Sequence, residues 1–187
     1  MEIDYPTAVR RFDEILTRGL CAGVGEREGQ MCVEAAICVA LDLPHGDDPD
    51  CVEPAVRSYK IAINEANWSS PTARATGLRN VGIAQIGSKG VVDGSLFTAR
   101  LSEKTIRRLI PALFRQVFPT NPACLAAASR CEEQGTLAAA EAAARAAAGA
   151  AEAAGAAAGA ADAYLLLSVS LALETLQELK SPGCAYV

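Results

Sequence analysis

Three residues close together in this chain have the types needed for nucleophilic chemistry: Cys32, His45 and Asp47. Cys32 stands near the expected start of a helix. A thiol there has its thiolate favoured by unpaired backbone N–H groups and by the helix dipole. His45 lies in the turn after that helix and would act as base, with Asp47 orienting it. Gln30, two residues before the cysteine, would help hold an oxyanion. This constellation defines one functional reading, a cysteine-dependent hydrolase or transferase. The plainer reading makes Cys32 a small core residue and His45 part of a turn.

A second constellation suits an anionic ligand. Trp68 sits beside Ser70-Pro71, a helix start with Ser70 as N-cap. Arg74 and Arg79 follow on that helix, and Arg57, Lys60 and Asn64 lie on the helix before it. An indole stacks on a base, helix N–H groups favour phosphate, and arginine binds phosphate bidentately. The glycines of Gly23-x-Gly25-x-x-x-Gly29 would add backbone donors. They form neither a dinucleotide fingerprint nor a P-loop, because no strand precedes them and no Lys-Ser/Thr follows. The plainer readings are a core tryptophan, an ordinary cap and solvated arginines. Metal is not expected. Cys21, Cys32, Cys38, His45, Asp47 and Cys51 are suitable donors, but their spacing is not that of a zinc site. No cofactor is expected either.

The elements that must position these residues read as helices. Asp4 caps the first, with Pro6 in its opening turn and Val9, Phe12, Ile15 and Leu16 on one face. The second runs from about Gln30 to Leu41. It is apolar nearly all round apart from Glu34, so it should be central. Asp50 and Glu53 form a capping pattern for a third helix, with Val52, Val56, Tyr59 and Ile63 inward and Arg57, Lys60 and Asn64 on the other side. Leu78, Val81 and Ile86 face the core from the fourth. Residues 88–101 hold the one plausible β element, a hairpin around Asp93-Gly94, or else an irregular loop. Ser102 then caps a helix that Pro111 should kink. Asn121-Pro122 starts another, and Gly135 ends it.

From Leu137 to Ala163, Ala fills 19 of 27 positions. Ala has the highest helix propensity. Glu141, Arg145, Glu152, Gly155, Gly159 and Asp162 mark one wet stripe, and the remaining faces are nearly pure Ala. Such a surface lets a neighbouring helix approach closely. Unbroken from Thr136 to Lys180, the helix would span about 65 Å. A break near Gly155–Asp162, or pairing with another chain, is therefore expected. The fold expected is mainly α: a helical bundle with a long Ala-rich C-terminal helix or hairpin and at most one short β-hairpin. Residues 1–134 form its helical globular domain and residues 135–187 an Ala/Leu-rich oligomerisation region.

The chain has 187 residues, and 17 Lys and Arg against 22 Asp and Glu leave a formal charge of −5. An acidic chain argues against generic nucleic-acid binding. A hydrophobic content of 51% excludes a disordered chain. No signal peptide is visible, and the charges interrupting the Ala-rich third remove a membrane-span signal. Seven cysteines without a C-x-x-C motif suit a reducing cytoplasm.

The segments Gly29-Gln30-Met31-Cys32-Val33-Glu34-Ala35-Ala36, Leu43-Pro44-His45-Gly46-Asp47 and Cys51-Val52 resemble a group of uncharacterised bacterial and phage-encoded proteins. The tail Leu179-Lys180-Ser181-Pro182-Gly183-Cys184 is similar to the tail of that group. The resemblance covers most of the chain and implies a prokaryotic or phage origin, without a particular chemistry. Gln30 before Cys32 is also similar to papain-like enzymes. Their histidine comes much later, however, and an aromatic residue follows their cysteine motif. The leading functional expectation is a non-enzymatic oligomeric binding protein. It would sequester an anionic, nucleotide-like small molecule, as phage proteins that bind immune nucleotides without turnover do. The third class is a structural self-assembly protein.

Overall fold

The structure, a computed structural model, describes residues 2–151 and 161–187. It is mainly helical, as the periodicity predicts. The helices are α1 (Tyr5–Leu16), α2 (Val33–Ala40), α3 (Pro54–Asn64), α4 (Pro71–Ala84) and α5 (Gly94–Lys104), then α6 (Ile110–Val117), α7 (Pro122–Gln134), α8 (Leu137–Ala151) and α9 (Ala161–Glu178). A π-helical turn, Thr105–Leu109, precedes α6, and a 3-10 turn, Pro182–Tyr186, follows α9. Among the described residues there is no strand beyond isolated bridges from Met31 to Leu20 and Gly25. No helix among them is long and apolar enough to cross a membrane. The expected break near Gly155–Asp162 falls largely on residues 152–160, outside the described residues, as do Glu152, Gly155 and Gly159 of the wet stripe.

Several starts follow local cap chemistry. Asp4, Ser70 and Asn121 each accept a backbone N–H from the first turn, from Thr7, Ala73 and Cys124, and a proline follows in each case. Elsewhere the structure corrects the expectation. Residues 88–101 form no hairpin: Asp93 Oδ1 accepts from Leu96 N–H at 3.0 Å and from Ser95 Oγ at 2.6 Å, which starts α5. That helix continues through Ser102, so Ser102 caps nothing. Asp50 does not cap α3, which begins four residues later at Pro54, with Glu53 at the N-cap making no side-chain cap bond. Pro111 is met by the π-turn, in which Ile110 N–H reaches back to Thr105 C=O. The wider turn absorbs the proline that cannot donate.

The chain packs as two compact units, residues 1–98 with 161–187, and residues 99–160. The compositional boundary at 134/135 thus falls inside the second unit. In the first unit α4 is central, touching α1, α2, α3, α9 and the 3-10 turn. Leu78, Val81, Ile83 and Ile86 are fully buried around it. Two glycines on α4 permit close approach. A methyl group at Gly82 would press on the Phe12 ring, and one at Gly77 would overlap the Trp68 indole. At the N-terminus of α9, Asp162 accepts from Ser69 N–H at 2.9 Å and also from its hydroxyl. Tyr59 and Ser168 hydroxyls meet at 3.0 Å.

In the second unit, small residues make the α7–α8 interface. Ala127, Ala128 and Cys131 lie with Ala139 and Ala143 in one buried cluster, together with Ile106 and Phe114. The Cys124 thiol reaches Ala146 C=O at 3.6 Å, which requires the close helix approach that the Ala pattern predicts. Arg107 closes α7 by donating to the carbonyls of Glu132, Glu133 and Gln134 at 2.7–3.0 Å.

Gly77→Ala tests the packing of α4. Alanine gains up to about 1 kcal/mol in helix propensity. Overpacking against an indole pinned by its N–H bond to Ile63 C=O costs about 1–3 kcal/mol and wins. Urea unfolding should show a lower midpoint, and an unchanged or raised midpoint would contradict this packing.

Candidate functional site

The N-terminus of α2 is where chemistry-bearing residues collect. Cys32 is the N-cap and does not lie inside the helix, because Met31 is held extended by its bridges to Leu20 and Gly25. The Cys32 sulfur accepts from Ala35 N–H at 3.3 Å. Asn64, at the end of α3, accepts from Val33 N–H at 3.2 Å through Oδ1. Its Nδ2 donates to Cys21 C=O at 3.0 Å and to Glu65 Oε1 at 3.1 Å. Glu65 Oε1 also accepts from Gly23 N–H at 2.7 Å. The loop before α2 is thereby tied to the end of α3. The Val33 and Ala35 donors that an anion would need are already engaged.

These residues surround a cavity of about 230 Å³. Val24, Val33 and Ile61 give it an apolar side. Cys32 and Asn64 add polar groups, and Glu34, Asp47 and Glu65 place three carboxylate residues on its wall. Among the described residues, no Lys, Arg or His lines it.

Behind the wall lies a buried junction of three helices. Glu34 of α2 and Lys60 of α3 are both fully buried, with Nζ 3.4 Å from Oε1. Gln85, at the end of α4, donates to Glu34 Oε2 at 2.8 Å. Burial raises the Glu34 carboxyl and lowers the Lys60 ammonium, and each charge opposes the shift of the other. Glu34 Oε1, Lys60 Nζ and Gln85 Oε1 have no hydrogen-bond partner. Lys60 and Asn64 therefore face the interior, which corrects their expected place on the outer side of α3.

The residues singled out for thiol chemistry do not form a relay. Cys32 and Asp47 share the cavity wall, but His45 is not on it. His45 Nε2 is enclosed without a hydrogen-bond partner. Burial pushes the Cys32 thiol up, outweighing the helix N–H groups of Ala35 and Glu34 that pull it down. Cys38, in the same helix, is pushed up to about 12, chiefly by burial. Among the described residues no group of three or more His, Cys, Asp or Glu is arranged to hold a metal.

The residues singled out for an anionic ligand all have internal partners. Trp68 is 8% exposed, and its indole N–H donates to Ile63 C=O at 2.9 Å. Ser70 caps α4. Arg74 donates to the Leu20 and Ala66 carbonyls. Arg79 pairs with both oxygens of Asp13, at 2.7 and 2.8 Å, and Arg57 pairs with Asp48. Of the seven, Asn64 alone reaches the cavity wall.

The chain matches no protein-family model, no curated protein and no solved structure. The site is therefore read from its own residues. Sequence reasoning missed Glu34 and Glu65 as parts of it. The available signal was Glu34 itself, the single charge on an otherwise apolar helix.

Removing one member of a buried ion pair leaves the other uncompensated, at a cost of about 3–5 kcal/mol. Glu34→Leu and Lys60→Met are each expected to destabilise the fold on that scale. The double variant should cost much less than their sum in urea unfolding. Strict additivity would show that the two side chains do not interact.

Proposed function

We propose that the chain is a non-enzymatic small-molecule-binding protein whose ligand sits in the cavity at the start of α2. The observation that carries this reading is the cavity itself. It joins an apolar side to several convergent polar groups, the usual form of a ligand site. Its polar members are fixed in advance, since Asn64 and Glu65 hold the loop and both helices by hydrogen bonds. Such pre-organisation lowers the ordering cost of binding. The protonated, 5%-exposed Cys32 thiol favours binding over thiol catalysis, because the thiolate is the nucleophile.

Size narrows the ligand. A volume of about 230 Å³ lies below the common range for drug-sized ligands, roughly 300–1,000 Å³. A compact molecule fits. The sequestering role read from the sequence is kept, moved from the arginine-bearing surface to this cavity.

Ile61→Trp fills the cavity from its apolar side. A fragment collection of neutral, cationic and anionic members, screened by saturation-transfer NMR, should give binders of the wild-type chain that Ile61→Trp loses. The variant's melting curve verifies that it is folded. No binders, or binders indifferent to Ile61→Trp in a folded variant, would overturn the proposal.

A further inference from the structure

Resting on the cavity reading above, we propose that the ligand is a small protonated amine, an apolar body with an ammonium head held by Asp47 and Glu65. The charge balance of the wall carries this. Among the described residues, Asp47 and Glu65 line the cavity as carboxylates without a cationic partner, and no cationic residue lines it. Asp47 makes no side-chain hydrogen bond or ion pair with the described residues. Glu65 Oε1 is engaged by two neutral donors, Gly23 N–H and Asn64 Nδ2, which leave its charge unneutralised. Glu34 is on the same wall but fully buried, and its charge is met by Lys60, whose Nζ lies 3.4 Å from Oε1, so the two cancel in this balance.

Two features could favour an anion instead, and neither prevails. The first is the N-terminal dipole of α2. Its Val33 and Ala35 donors are engaged by Asn64 and Cys32, so an entering anion would find these N–H groups occupied and carboxylates around it. The second is Lys60, whose Nζ lies 3.4 Å from Glu34 Oε1. It is fully buried and forms no part of the wall, so its charge is answered by Glu34 before a ligand meets it. A cation entering the cavity instead gains charge-assisted hydrogen bonds to Asp47 and Glu65. Its carbon body packs on Val24, Val33 and Ile61.

The test is a 15N NMR titration of the full chain at low salt with three probes of similar length: 1,4-diaminobutane, 1,4-butanediol and succinate. Diaminobutane should shift the amides of Cys32, Val33, Asn64 and Glu65, and the other two should not. Asp47→Asn should weaken diaminobutane binding roughly tenfold, about 1.4 kcal/mol. Asp47 holds no other described side chain, so the variant should melt like the wild type. Shifts from butanediol or succinate without diaminobutane would overturn the amine and leave the cavity standing. Silence from all three would also overturn the amine, and the fragment screen with Ile61→Trp then judges the cavity separately. Diaminobutane binding unchanged by Asp47→Asn would overturn the role given to the carboxylate.

Discussion

Burying a carboxylate and an ammonium in one core commits the helices that carry them to each other. Glu34, Lys60 and Gln85 bind α2, α3 and the end of α4 at a single point away from water. None of the three can be withdrawn without leaving a buried charge or dipole unanswered. Hydrophobic packing around α4 tolerates small slips, since it is non-directional. The buried ionic junction does not. It sets the position of α2 relative to α3, and everything at the start of α2 depends on that.

One face of α3 links the junction to the cavity. Lys60 and Asn64 are four residues apart, so they project from the same side of the helix. The first meets Glu34, and the second holds Val33 N–H, Cys21 C=O and Glu65. The core thus determines where the cavity wall stands. The same arrangement engages Cys32 in the helix start. Its sulfur serves as the cap of α2, and burial keeps it protonated. A thiol placed to be reactive would need a cationic neighbour on the wall, and Glu34 and Asp47 stand there instead.

The helices whose starts are encoded by neighbouring residues were legible in the sequence. Asp4 with Pro6, Ser70 with Pro71 and Asn121 with Pro122 needed only local cap chemistry. The start of α2 was legible to within about three residues: Gln30 was the expected beginning, and Met31 is instead held extended by its bridges to Leu20 and Gly25, so the helix begins at Val33. Asp93-Gly94 has the composition of a hairpin turn, yet the same Asp side chain can cap a helix, and the long-range fold decides between them. Lys60 and Asn64 were placed outward because periodicity assigns polar residues to solvent. Their partners, Glu34 and the loop at Cys21, are distant in sequence. Cys32 and Asp47 were singled out for chemistry and do meet at one wall. The arginines that suggested phosphate are instead engaged with Asp13, Asp48 and backbone carbonyls.

The most direct measurement is a crystal structure of the full chain grown with millimolar 1,4-diaminobutane. This account predicts density for the diamine in the cavity at the start of α2, with one nitrogen within hydrogen-bond distance of the Asp47 or Glu65 carboxylate. An empty cavity at saturating diamine, or a diamine bound only elsewhere, would contradict it.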